Sequence, residues 1–231
     1  MQQESTVRRP HEGRAPVVAG TDISAASYGL VLVHGRGGTA DGMLPIARAA
    51  KATGAALIAP VAEGNSWYPY RFLAPTAENE PWLSSALESI ASAVALLAAG
   101  EIAEERIILV GFSQGACLTL EFAARAAARG ARFGGVVAMA GALVGDPAVP
   151  RHDTGSLNGT PVVLACGDAD AHIPEALVRA SAEHFVTLGA TVDLRISPGV
   201  GHDITGDQIA ALSALVEALR PVARSGTSPQ F

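Results

Sequence analysis

One run of residues constrains this chain more than any other: Ile107-Ile108-Leu109-Val110-Gly111-Phe112-Ser113-Gln114-Gly115-Ala116. An apolar stretch ends in Gly-x-Ser-x-Gly and passes into an Ala- and Leu-rich segment, the pattern of a buried strand, a sharp turn and a helix. A serine in such a turn is held in a strained backbone conformation. Glycine is needed on both sides because a Cβ at Gly111 or Gly115 would collide with the flanking strand or helix. The turn lifts Ser113 clear of the sheet. The helix starting at Gln114 points its unpaired N–H groups and positive dipole end toward that serine, so negative charge developing there would be stabilised. Ser113 is therefore the candidate nucleophile.

The rest of the chain must supply a sheet to carry this turn. With 231 residues, 49% of them hydrophobic and 16% charged, there is material for a large core, and α/β folds of this length often form one domain. One domain is expected over 15–224, between a disordered tail at 1–14 and a frayed end at 225–231. The net charge is −6, with both signs interspersed, and no basic stripe suits nucleic acid or an anionic membrane. Neither partner is expected. Lys51 is the one lysine, which argues against Schiff-base chemistry. No apolar run approaches the ~20 residues of a bilayer span, and Met1 to Arg14 lack the apolar core of a signal peptide, so a cytoplasmic location is expected. Cys117 and Cys166 fall inside apolar runs and read as buried, reduced thiols.

Taken in order, Ala15–Ala19 suits a short edge strand and Tyr28–Val33 a strand buried on both faces, as in a parallel sheet. His34 follows, read as a structural hydrogen-bonding residue, and then Gly35-Arg36-Gly37-Gly38. That turn lacks the ending of a P-loop and the spacing of a dinucleotide fingerprint. Upstream of a Gly-x-Ser-x-Gly turn it better suits a second oxyanion donor, the Arg36 N–H joining that of Gln114. A helix is expected over Asp41–Thr53 and a strand over Ala55–Ala59. From Glu63 to Pro81 the chain has no clear period, yet Trp67, Tyr68, Tyr70, Phe72 and the nearby Trp82 hold five of its eleven aromatics. Aromatic loops often wall a pocket, so Trp67 and Tyr68 are expected to face substrate. Leu83, Leu87, Ile90, Val94 and Leu97 then mark one helix face.

Beyond the Ser113 turn, Gly134–Ala140 reads as a strand. The loop Gly141–Asn158 carries His152 and Asp153, expected as exposed polarity. Pro161–Cys166 is a further strand, and two aspartates stand past its end, Asp168 and Asp170. Either could orient a catalytic histidine by accepting its Nδ1 proton. Thr191–Ile196 is the last strand, followed by His202 among glycines. Thr205-Gly206-Asp207-Gln208 has the capping-box pattern and opens a helix. The order Ser113, an aspartate, His202, each just past a buried strand, points to a nucleophile, an acid and a base.

At these residues the chain resembles the phospholipase/carboxylesterase family of α/β-hydrolases, over roughly Tyr28 to Val222. Gly111-Phe112-Ser113-Gln114-Gly115-Ala116 is similar to the family's nucleophile turn, His34-Gly35-Arg36-Gly37 to its oxyanion loop, and Gly167 to Pro174 to its Gly-Asp-x-Asp-x-x-x-Pro segment. The resemblance implies an α/β-hydrolase fold, a mostly parallel sheet with helices on both faces and no large cap domain. It also implies Asp170 as the acid and His202 as the base. The expected activity is hydrolysis of small to medium carboxylic esters through an acyl-enzyme on Ser113, without metal or organic cofactor. The alternatives are a thioesterase or lysophospholipase for longer acyl chains and a noncatalytic binding protein. The oligomeric state stays open, with a homodimer among the options.

Overall fold

The computed structural model describes residues 9–220. Seven strands form one sheet: β1 (Val17–Gly20), β2 (Tyr28–Val33), β3 (Ala55–Ala59), β4 (Ile107–Phe112), β5 (Gly135–Met139), β6 (Pro161–Gly167) and β7 (Thr191–Ser197). Their spatial order is β1-β3-β2-β4-β5-β6-β7. Only β1 runs antiparallel to its neighbour. The six others are parallel, so all their carboxyl ends lie on one side.

Five α-helices cover the two faces: α1 (Ala40–Ala49), α2 (Trp82–Ala99), α3 (Gln114–Ala126), α4 (Glu175–Thr187) and α5 (Gly206–Leu219). Strand side chains alternate between faces, and both faces are buried. Val31 and Val33 turn into a cluster with Leu83, Ile90 and Leu97 of α2, Leu118 and Leu120 of α3 and Val178 and Phe185 of α4. Tyr28, Leu30 and Leu32 turn into the opposite cluster, with Met43 and Ile46 of α1 and Leu212 and Val216 of α5. This two-sided burial explains the near-continuous apolar strands in the sequence. Among the described residues only α2 is long and apolar enough to cross a membrane. Its buried stripe of Leu83, Ile90, Val94 and Leu97 packs on the sheet as a core helix.

Several boundaries move by a few residues from the sequence expectation, and α4 is an element that expectation does not contain. Its buried face of Val178, Ser181, Ala182 and Phe185 uses small and polar residues that blur the period. The stretch 60–81 holds only short 3₁₀ turns at Glu63–Asn65 and Thr76–Asn79. No cap domain covers the sheet among the described residues.

Two expectations need correction. Residues 9–14 are not a detached tail, because His11 is buried and packs edge-on against both Trp67 and Trp82. Its Nδ1 accepts the Glu63 N–H at 3.0 Å, which leaves Nε2 to carry the proton and donate to the Trp67 carbonyl at 2.8 Å. The other tail residues, 1–8 and 225–231, lie outside the described residues. Asp153 is not exposed polarity either. It pairs with Arg151 at 2.7 Å and with His184 at 2.9 Å, and Arg151 reaches on to the buried Glu121 at 2.9 Å.

Candidate active site

Ser113 stands between β4 and α3 with φ 55° and ψ −121°, a conformation costly for any residue bearing a Cβ. The turn is held by its surroundings. The Ser113 N–H donates to the Met139 carbonyl at 2.9 Å, and the Ser113 carbonyl accepts the Cys117 N–H at 3.0 Å. A Cβ on Gly111 would meet the Gly115 carbonyl oxygen at 2.3 Å, and one on Gly115 the Val33 carbonyl oxygen at 2.2 Å. Both glycines are thus required by close packing of strand, helix and the end of β2.

The serine hydroxyl lies 2.7 Å from His202 Nε2, and His202 Nδ1 lies 2.7 Å from Asp170 Oδ2. A carboxylate can only accept. Nδ1 therefore carries the imidazole proton, and Nε2 is left as the acceptor of the Ser113 hydroxyl. The other Asp170 oxygen accepts the N–H groups of His172 at 2.8 Å and Ile173 at 3.0 Å. Burial works against the Asp170 carboxylate, but the His202 ring and those two amides outweigh it, and its pKa falls below the ordinary aspartate value. Cys166 adds a thiol donor 3.4 Å from Oδ2. Burial and the neighbouring Asp170 push that thiol up to about 12, so it keeps its proton.

The structure separates the two aspartates of the sequence. Asp168 accepts the Gly199 N–H at 2.6 Å and ties the histidine loop to the aspartate loop, without reaching the ring. On the far side of His202, the capping box of Thr205 and Gln208 anchors the start of α5, and Gln208 Nε2 donates to the Ala165 carbonyl of β6 at 3.5 Å. Phe112 and His172 flank the His202 ring, with centroids at 5.2 and 4.8 Å.

The glycine-rich loop after β2 lies against the serine. Gly35 is so close that a Cβ there would stand 3.1 Å from Ser113 Cβ. Gln114, the first residue of α3, has an N–H without an intrahelical acceptor. His34 is buried and its Nδ1 lies 2.8 Å from the Gly35 carbonyl. Burial lowers its pKa despite that bond, which suits a structural, neutral ring.

The family model described as phospholipase/carboxylesterase matches residues 15–219, the whole sheet and every element that brings these residues together. The chain belongs to the phospholipase/carboxylesterase family. It is thus a hydrolase of the esterase/thioesterase type on an α/β-hydrolase fold. A crystal structure of a phospholipase/carboxylesterase from Dyadobacter fermentans superposes with a TM-score of 0.82 at 35% identity, covering 88% of this chain and 96% of that one. The crystal structure of esterase PE8 gives a TM-score of 0.73 at 24% identity, over 89% and 99% of the two chains. Acyl-protein thioesterase 1 homolog 1 of Dictyostelium discoideum is 26% identical over 160 residues, 68% of each chain.

In this family member a cavity of about 550 Å³ opens at Ser113 and His202. The loop Tyr68–Phe72 forms one wall, hung with Trp67 from side chains of the two residues expected to offer oxyanion amides. Gln114 Oε1 accepts the Trp67 N–H at 2.9 Å, and its Nε2 donates to the Tyr68 carbonyl at 2.8 Å. Arg36 donates to the carbonyls of Tyr68, Pro69 and Tyr70 at 2.9, 2.9 and 2.6 Å. Tyr68 lines the cavity, and burial holds its hydroxyl well above the ordinary tyrosine range.

Trp67 does not line it, contrary to the sequence expectation. Its indole is fully buried and donates from Nε1 to the His34 carbonyl at 2.8 Å, behind the glycine-rich loop. Both rings are buried in the same core cluster, Trp67 at 0% and Tyr68 at 1% exposure, and of the two only Tyr68 borders the cavity. The sequence reading also missed the anchoring side chains of Arg36 and Gln114 and the His172 ring beside His202. No spacing rule marks a side chain that bonds a distant backbone. The crowding of aromatics onto one loop was the available signal that something must hold that loop.

Proposed function

We propose that the protein is a serine carboxylesterase that hydrolyses small to medium carboxylic esters through an acyl-enzyme on Ser113, with Asp170 and His202 completing a Ser-His-Asp triad. One observation carries this reading: the unbroken series Asp170 Oδ2, His202, Ser113 Oγ, with both links at 2.7 Å, at the mouth of a cavity. His202 Nε2 takes the hydroxyl proton as Ser113 Oγ bonds to the ester carbonyl carbon. The carbonyl π pair moves onto oxygen, where the amides of Arg36 and Gln114 serve as donors. The tetrahedral intermediate collapses, the ester C–O bond breaks, and the departing alkoxide takes the proton from His202. Water repeats the sequence on the acyl-enzyme, releasing the acid and restoring Ser113. Asp170 stays ionised throughout and stabilises the imidazolium.

The kinship to a relative named as an acyl-protein thioesterase homologue favours a second reading, a thioesterase for longer acyl chains. The test is a kinetic survey of oxygen esters and thioesters of graded acyl length, beside fluorophosphonate labelling read by mass spectrometry. The carboxylesterase reading expects label on Ser113 alone and kcat/KM that falls beyond medium acyl length. Label on another residue would overturn the nucleophile, and a rise toward long-chain thioesters would favour the second reading.

A further inference from the structure

The wall of the Ser113 cavity carries a charge opposite to that of the protein. The chain is acidic overall, at −6. Yet no aspartate or glutamate lines this cavity, while Arg36, Arg71, His172 and His202 do. The nearest acid, Asp170, has a fully buried side chain whose oxygens are taken by the His202 ring, two amides and a thiol. Its single negative charge stands behind the His202 ring and does not line the cavity, against the two guanidinium groups on the wall.

Five of the thirteen described arginines, Arg36, Arg48, Arg71, Arg106 and Arg132, lack an ion pair with a carboxylate, and of these five only Arg36 and Arg71 line the cavity. Eight others are ion-paired with carboxylates: Arg9, Arg14, Arg125, Arg129, Arg151, Arg179, Arg195 and Arg220. Among the described residues Arg36 and Arg71 have no carboxylate partner. Three N–H groups of Arg36 go to neutral carbonyls. Two of its five donors remain, and its charge is uncancelled. Arg71 is exposed and makes one long contact of 3.5 Å, to the His172 carbonyl. That contact brings it near the triad, because the His172 ring packs against His202. A cation with free N–H donors therefore stands at the rim, beside the triad residues, with no carboxylate paired to it among the described residues.

A guanidinium with unused donors in a partly enclosed cleft is suited to a carboxylate or phosphate, which it can engage through paired hydrogen bonds. A cleft lined by one sign of charge also raises the local concentration of the opposite ion. We infer that the cavity selects esters bearing a second, anionic group, a free carboxylate or phosphate, held by Arg71 with the field of Arg36 behind it. This inference rests on the esterase reading and narrows its substrate class. The anion sits on either the acyl or the alcohol part, and the two arms of the test separate these.

The test compares matched pairs that differ by one charge. On the acyl side these are monoethyl adipate and ethyl hexanoate. On the alcohol side they are 4-acetoxybenzoate and its methyl ester. In at least one arm the anionic member is expected to have the higher kcat/KM by about tenfold or more, a preference that shrinks as ionic strength rises from about 0.02 to about 0.5 M. Arg71→Gln is expected to cut that preference about tenfold, and Arg71→Lys to keep part of it, since ammonium retains the charge without the fork. Arg71 is exposed and loosely held, so both variants are expected to melt with the wild type.

Equal or faster turnover of the neutral member in both arms would overturn the inference, as would a preference indifferent to salt and to Arg71→Gln. Fluorophosphonate labelling of Ser113 in the same samples keeps the two readings apart. A labelled enzyme that prefers neutral esters sinks the anion selectivity and leaves the esterase mechanism standing. An unlabelled protein that turns over no ester sinks both.

Discussion

On one side of the cavity, Ser113, Asp170 and His202 each follow the end of a parallel strand; on the other, Trp67 to Phe72 hang from side-chain hydrogen bonds to loop carbonyls and amides. The first side takes its geometry from sheet register. β4, β5, β6 and β7 are aligned by backbone pairing, so residues just past their ends start close together, and single side-chain ties such as Asp168 to the Gly199 N–H finish the arrangement. The second side has no ladder, and its backbone groups are satisfied one at a time by Gln114, Arg36, Asn79 and His11. Chemistry and substrate fit are thus supported by different interactions and are expected to fail separately.

The largest expected effect strips the chemistry and spares the fold. Ser113→Ala is expected to lower turnover by about a millionfold, with melting close to wild type, because the hydroxyl contributes little packing. Asp170→Asn follows at about ten-thousandfold in kcat, through loss of the carboxylate that fixes the tautomer. Asp168→Asn instead is expected to weaken the Gly199 tie by about 1 kcal/mol and to leave the chemistry. Activity and melting of both aspartate variants decide between the roles. A silent Asp170→Asn beside a dead Asp168→Asn would reverse them.

Trp67→Ala probes the other side. Removing a fully buried indole is expected to cost about 3–5 kcal/mol of stability. It also frees the His34 carbonyl behind the glycine-rich loop. A variant that melted normally and only raised KM would restore Trp67 to the cavity wall and break the contrast drawn here. A smaller effect is expected from Gln114→Leu, which leaves the buried Trp67 N–H unpaired at about 1–3 kcal/mol while the Tyr68 carbonyl keeps its bond from Arg36. Amide hydrogen exchange along 66–72 should quicken more than exchange in β4. Uniform quickening would mean that loop and sheet open together.

The smallest effect is a pH dependence. His11 and His34 are held neutral, chiefly by burial, with pKa values lowered from the ordinary ~6.5. Below that value the unfolded chain binds protons that the folded chain refuses, so this stability is complete above ~6.5 and declines as pH falls through the folded values, by at most ~1.4 kcal/mol per pH unit per histidine. The Asp170 and Asp153 contributions have their pKa values lowered from the ordinary aspartate range. They persist through mild acid and are lost only as pH falls through those lower values. Denaturant midpoints between pH 7.5 and 5.0 check the slope, which His11→Asn is expected to reduce. An unchanged slope would mean that burial does not hold His11 neutral.

Much of the fold was legible because the signals for a parallel sheet are local. Continuous apolar runs at Tyr28–Val33 and Ile107–Phe112 mark strands buried on both faces, and Gly111 and Gly115 mark a turn no other residue fits. Ser113, His202 and an aspartate could be placed past strand ends from chain order. The choice of Asp170 over Asp168 needed the family resemblance, since both occupy the same turn and differ only in where the side chain points. The loop was opaque for a different reason. That Tyr68 and not Trp67 borders the cavity depends on Arg36 and Gln114 catching particular backbone groups, and nothing near either residue in sequence encodes that catch. The burial of His11 against two tryptophans is equally nonlocal.

The position of each proposed triad residue within the sheet has a further consequence. Ser113 follows β4, the central strand, whose residues Ile107 to Gly111 are all buried; His202 follows β7, an edge strand whose side chains are mostly half-exposed. Native proteins open first where backbone pairing is one-sided and burial is shallow. On warming, the proposed base is therefore poised to depart while the serine turn is still intact, producing a dormant form that needs only β7 and its loop to re-dock. Heat would first idle such an enzyme and unfold it later, and the interval between the two would measure how firmly an edge strand holds half of a reaction.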